Sequence, residues 1–183
     1  DCEIENLGDH SVQLELVDGL QNILPAGTPS GVQASASNLV NAYKWTELDR
    51  NSRLAVYALY AAISDRAEPC ESLRANVAYG LGLETATVLL SSLQLDDFRR
   101  GAALVPEDHK RGIRGSYFLG TRIELPRGGS QRWQIVADVE RNQGQVVDLI
   151  KSLADPAALR ASVEESVAGG RDELARIVAA ADG

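Results

Sequence analysis

The sequence predicts a mainly β protein: an antiparallel sheet domain with C-terminal helices. Three observations carry this prediction. Apolar and polar residues alternate with a period of two through much of the first 140 residues, the pattern of strands with one face buried and one wet. From about residue 143 the period lengthens to that of a helix. No helix long enough to serve as a crossover is predicted between the strands, so they return antiparallel rather than parallel. The domain organisation that follows is an antiparallel sheet domain over residues 1–140 and a helical tail or linker over 141–183.

Cys2 and Ile4 alternate with Glu3 and Glu5, and Val12, Leu14 and Leu16 alternate with Ser11, Gln13 and Glu15. Asn6, Gly8 and Asp9 lie between them and favour a turn, so Asp1 to Pro25 reads as a β-hairpin. Residues 30–38 are small and polar and read as a loop across the surface. Asn41 to Asp49 reads as a strand with Tyr43 and Trp45 on one face and Lys44 and Thr46 on the other. Leu54 to Ile63 is apolar on both faces; its period alone leaves a helix open, the flanking turn favours a strand, and such a strand must be central. Asp65 to Pro69 forms a charged corner. Leu73 to Leu83 and Ala86 to Leu95 read as two more strands, and residues 96–115 as an exposed excursion dense in charge. A second hairpin runs from Tyr117 through Pro126–Ser130 to Val139, with Trp133, Ile135, Ala137 and Val139 inward. Helices follow at Gln143–Leu153 and from Pro156 to Ala180; Asp155 caps the second, and Gly169 and Gly170 interrupt it at a predicted bend.

Composition narrows the function classes. The net charge of −8, from 26 acidic and 18 basic residues, repels a phosphate backbone, which argues against nucleic acid as a partner. No apolar run approaches the ~20 residues of a membrane span. Cys2 and Cys70 make no disulfide framework and read as free thiols, which points to a reducing compartment, the cytoplasm. The chain contains no Met and opens with Asp1 directly in a predicted strand, features expected of a domain cut from a longer protein or of a processed terminus.

No catalytic constellation emerges, and no cofactor is implied. His10 and His109, the two histidines, stand far apart and outside any metal-ligand spacing, so no metal site is predicted. Gly80-Leu81-Gly82 lacks the third glycine of a dinucleotide loop, and Asp96-Asp97 would face opposite ways on a strand. The most suggestive group is Asn41, Tyr43, Lys44 and Trp45 with Asp65 and Arg66 at the charged corner. Aromatic rings beside polar forks hold sugars by stacking and paired hydrogen bonds, and aromatics in strands serve as core as well. These six residues form the predicted carbohydrate-binding or domain-interface surface.

Asp1–Asn6, Val12–Leu16 and Asp18–Pro25 together resemble the N-terminal β-sandwich of bacterial carbohydrate enzymes related to cellobiose and chitobiose phosphorylases. The stretch from Pro126 to Val139 is similar to the closing hairpin of those sandwiches, and the helix from Gln143 to Leu153 to the one that follows it. The resemblance covers the two ends of the chain, and residues 26–115 match no pattern of that family. It implies that residues 1–140 form an antiparallel β-sandwich, super-sandwich-like, with C-terminal helices: an accessory domain, a fragment of a glycoside phosphorylase or glycoside hydrolase, partnered by a helical catalytic domain of the same polypeptide and by an oligosaccharide. In that family the catalytic carboxylate lies in the helical barrel, so no catalytic residue is carried over. A stand-alone carbohydrate-binding module and a structural or oligomerisation domain are the alternatives.

Overall fold

A computed structural model of the chain describes residues 1–28, 30–61 and 72–181. Its strands are β1 (Cys2–Glu5), β2 (Val12–Ile23), β3 (Lys44–Leu48), β4 (Ala55–Leu59), β5 (Arg74–Leu81), β6 (Thr87–Leu89), β7 (His109–Arg111), β8 (Gly115–Leu125) and β9 (Ser130–Asn142). The helices are α1 (Ser30–Ser35), α2 (Ser37–Tyr43), α3 (Leu95–Arg99), α4 (Gln143–Ser152) and α5 (Pro156–Ala181). The strands form two antiparallel sheets, one of six in the order β1, β9, β5, β4, β3, β7 and one of three in the order β2, β8, β6.

Neither predicted hairpin forms. β1 pairs with β9, placing Cys2 opposite Trp133, while β2 pairs with β8 from Val12 opposite Leu125 to Ile23 opposite Gly115. Each predicted turn therefore carries the chain from one sheet to the other, and the two resulting arches stack side by side. Asn6 joins their corners. Its side-chain amide donates among the carbonyls of His10, Leu125 and Pro126 at 2.8 to 3.0 Å, its backbone N–H donates to Gly129 O at 2.9 Å, and its carbonyl accepts from Gly128 N at 3.1 Å. Alternation records which face of a strand is buried, and an arch and a hairpin bury the same face.

The two sheets share one hydrophobic core. Ala55, Tyr57, Ala78 and Trp133 of the larger sheet are clustered with Val88, Tyr117 and Leu119 of the smaller. Two tyrosines cross this core in opposite directions: Tyr57 Oη donates to Ser116 O at 2.8 Å, and Tyr117 Oη to Arg53 O at 3.0 Å. A Cβ at position 115 would lie 2.5 Å from the Tyr57 ring, so Gly115 supplies the space that Tyr57 fills. On the outer face of the larger sheet a second cluster of Leu54, Val77, Tyr79 and Leu81 is covered by Leu153 and by Val146, Leu149, Ile150 and Leu159 of α4 and α5. β4 is apolar on both faces because both are covered, as its sequence requires of a central strand. Burial of this kind contributes roughly 1.5–3 kcal/mol per large apolar side chain.

Several other expectations are corrected. Residues 30–38 are mostly helical, and Asn41 and Tyr43 belong to α2, so the strand begins only at Lys44. Helices of six and seven residues present too few positions to display a 3.6 period. The strand predicted over Ala86–Leu95 is limited to Thr87–Leu89, and the 96–115 excursion contains most of α3 and the edge strand β7. On β9, Trp133 and Ile135 pack in the inter-sheet core, but Ala137 and Val139 are exposed. α5 continues unbroken through Gly169 and Gly170; a glycine costs a helix interior about 1 kcal/mol, which lowers helix stability without dictating a bend. The predicted charged corner and Cys70 lie outside the described residues. Cys2 is a free thiol whose pKa is pushed up by burial and by the neighbouring Asp18. No helix among the described residues is long and apolar enough to cross a membrane.

Candidate functional site

Lys44 and Trp45 are consecutive on a strand, so their side chains leave on opposite faces, and this divides the predicted site in two. Lys44 points beneath α1 and α2, where it is 3% exposed, and its Nζ donates to Gln33 Oε1. Burial, and secondarily the charge of Arg114, push its ammonium below the ordinary lysine value. Among the described residues Gln33 Oε1 is its one side-chain partner, and Gln33 Nε2 and Asn41 Oδ1 are buried without a hydrogen bond. Tyr43, half-buried at the end of α2, accepts Tyr60 N at its carbonyl at 2.7 Å. Asp65 and Arg66 lie outside the described residues.

Lys44 carries a prediction. Its folded pKa lies below the unfolded value of about 10.5, so between the two the unfolded chain binds more protons and stability rises with pH. Tyr57 and Tyr117 act in the opposite sense, but only above about pH 10, where an unfolded tyrosine ionises. As pH rises toward 10.5, urea midpoints should therefore rise in the wild type relative to Lys44→Met, the raised thiol of Cys2 being common to both proteins. Parallel curves for the two proteins would remove the buried ammonium from this account.

Trp45 stands on the outer face of the larger sheet. Pairing of β3 with β7 sets Trp45 opposite Arg111 and Glu47 opposite His109. The Arg111 guanidinium lies 4.0 Å from the Trp45 ring centroid, a cation–π contact, and the His109 ring centroid lies 4.4 Å away at a 57° tilt. Arg111 Nε donates to His109 Nε2 at 3.3 Å, and Trp45 Nε1 donates to Glu47 Oε2 at 3.2 Å. Tyr60, 77% exposed with its ring centroid 6.4 Å from that of Trp45, extends the aromatic surface.

Beside this shelf runs a groove of about 660 Å³ lined by Glu47, Asp49, Arg50, Asn51, Asp108 and His109, with Ile150 of α4 on its far wall. Arg50 pairs with Asp108. Asp49 accepts hydrogen bonds from Ser52 N at 2.8 Å and Ser52 Oγ at 2.6 Å, and these hold its carboxyl below the ordinary value. A lowered pKa is the reverse of what a general acid requires, so Asp49 serves as a fixed acceptor. Among the described residues no three or more His, Cys, Asp or Glu side chains gather to hold a metal ion. The arrangement can stack a flat apolar face on Trp45 and Tyr60 and offer hydrogen-bond partners along the groove.

Comparison with models of known protein families and with curated proteins finds no match to either. The second tryptophan, Trp133, is 6% exposed in the inter-sheet core and takes no part in this surface. His109 and Arg111 were hidden in the sequence by the shortness of β7, since three residues cannot display a strand period. Tyr60 reads as one more apolar position of a two-sided strand.

Proposed function

We propose that this chain is a non-catalytic, sandwich-type accessory domain of a cytoplasmic carbohydrate-active enzyme, a glycoside phosphorylase or hydrolase, and that it holds an oligosaccharide on the Trp45 shelf. One observation carries this reading: a half-buried tryptophan with an exposed tyrosine beside it, opening onto a groove of carboxylate, amide and guanidinium groups. A pyranose ring has the matching chemistry, an apolar face of C–H groups for stacking and a rim of hydroxyls for paired hydrogen bonds. The two sheets with their shared core, and the helices that follow them, agree with the form the resemblance implies, in which a helical catalytic domain of the same polypeptide is the partner. The groove carboxylates offer acceptors rather than an acid and base pair.

The test is titration of the chain with neutral β-linked gluco-oligosaccharides, followed by tryptophan fluorescence and by the two indole N–H resonances. Saturable binding should shift the Trp45 resonance and leave that of Trp133 in place. Trp45→Ala should weaken binding at least tenfold, a loss of about 1.4 kcal/mol, with the thermal midpoint little changed. Absence of saturable binding across the series would defeat the reading.

A further inference from the structure

Arg111 covers one face of Trp45. Its guanidinium lies 4.0 Å from the ring centroid, the separation of a stacked group, and its Nε donates to His109 Nε2 at 3.3 Å. Strand pairing fixes the trio, since Arg111 stands opposite Trp45 and His109 opposite Glu47, all on the outer face of the sheet. Arg111 and His109 are both exposed, so burial holds neither in place. Among the described residues the side-chain partners of Arg111 are His109 and the Trp45 ring.

The hydrogen bond defines the state of His109. A ring nitrogen accepts only through a free lone pair, and arginine can only donate, so Nε2 carries no proton in this arrangement. A proton added at Nε2 turns the imidazole into a cation with two N–H donors. It then faces a guanidinium with nothing left to accept and a like charge beside it.

We infer that Arg111 and His109 form a pH-sensitive latch on the Trp45 shelf. Neutral His109 holds Arg111 over the indole, and protonation of His109 releases Arg111 and opens that face to a ligand. The other charged groups around the imidazole are already engaged. Glu47, Asp49, Arg50 and Asp108 line the same groove, to which α4 contributes Ile150. Glu47 accepts from Trp45 Nε1, Asp49 accepts from Ser52, and Arg50 pairs with Asp108. Lys110, between His109 and Arg111 on β7, leaves on the other face and pairs with Glu107. The contact that the proton breaks is therefore the one to Arg111. That the ligand is a sugar rests on the function proposed above; the latch itself does not. A sugar that displaces Arg111 binds more tightly to the open state and, by linkage, favours that state in return.

The latch is tested without ligand by nuclear magnetic resonance on the whole chain. Protons stacked on an indole resonate upfield, so the Arg111 side-chain signals should lie upfield at about pH 7.5 and return toward those of free arginine at about pH 5.5. His109→Asn retains an acceptor and has no proton to gain, and its Arg111 signals should stay upfield at both. Trp45→Ala should abolish the upfield displacement and so assign it. With the neutral gluco-oligosaccharides, the wild-type Kd should fall about threefold from the higher pH to the lower, the worth of one exposed cation–π contact. It should stay level in His109→Asn, and level at the tighter value in Arg111→Ala. Arg111 signals that ignore pH, or that move alike in His109→Asn, would overturn the latch and leave the sugar reading standing. A latch that opens in a chain binding no sugar at either pH would defeat the sugar reading alone. A wild-type Kd that stays level while Arg111 moves would place the sugar on the other face of Trp45 and overturn the inference that the latch admits it.

Discussion

Replacing Trp133 with alanine is expected to cost the fold about 3–5 kcal/mol, the range for deleting a buried aromatic side chain. Domains of this size are commonly stable by about 5–15 kcal/mol, so the variant should be close to unfolding. Trp133 is 6% exposed on β9 and packs in the core between the sheets. Its indole Nε1 donates to Asp18 Oδ2 at 2.7 Å on β2, a hydrogen bond from one sheet to the other. Trp133→Phe separates the two contributions, since it retains an aromatic ring in the core and loses the donor. That variant should cost about 1–3 kcal/mol, the penalty of an unmade hydrogen bond and a small loss of packing. Urea unfolding gives both values, provided the slope is unchanged between variants. A cost below 1 kcal/mol for the alanine variant would mean that the sheets do not depend on each other through this residue.

The strands were legible in the sequence wherever one face was buried, because alternation follows directly from the pleat. Cys2 to Glu5, Val12 to Leu16 and Trp133 to Ile135 are all strand in the positions their patterns require. Pairing was not legible. Pro126, Gly128 and Gly129 shape a tight corner whether the chain returns along the same sheet or crosses to another, and the choice was made by contacts more than a hundred residues apart, Asn6 with Leu125 and Pro126. The helices at the end were legible from their period, and the second also from its cap, since Asp155 Oδ1 accepts from Ala158 N at 3.1 Å; the structure adds a reciprocal capping box of Asn142 and Gln145 on the first.

The candidate site was half legible. Trp45 announced itself as a large aromatic among polar neighbours, but neighbours in sequence on a strand are not neighbours in space. Its true company, Arg111 and His109, comes from across the sheet, and Lys44 leaves on the opposite face. Nothing distinguished Glu107 from the other charges of a polar stretch. Only the fold reveals that it is 6% exposed, because a buried carboxylate is made tolerable by donors brought from elsewhere in the chain.

Glu107 therefore carries the second large prediction. Its carboxylate accepts from Leu90 N at 2.8 Å, Ser91 Oγ at 2.9 Å and Gln94 Nε2 at 2.9 Å, and pairs with Lys110 Nζ at 3.0 Å. These four groups come from the end of β6, the approach to α3 and the edge strand β7, so one side chain fastens the excursion to the smaller sheet. Glu107→Ala leaves the donors facing an empty space and should cost about 3–5 kcal/mol. Acid gives an independent check. Burial pushes the carboxyl up, but hydrogen bonds from Gln94, Lys110, Ser91 and Leu90 outweigh it and hold the group below its ordinary value of 4.5. A folded pKa below the unfolded one contributes stability that is fully present above the unfolded value and disappears as pH falls through the folded one. The wild type should thus lose stability on acidification below its unfolded value more steeply than Glu107→Ala, and the gap between the two unfolding curves should narrow as the pH falls. The lowered Asp49 contributes its own acid dependence to both proteins, so the difference between them isolates Glu107. Curves that stay parallel from pH 7 to pH 3 would show that Glu107 is no more than a surface carboxylate in solution.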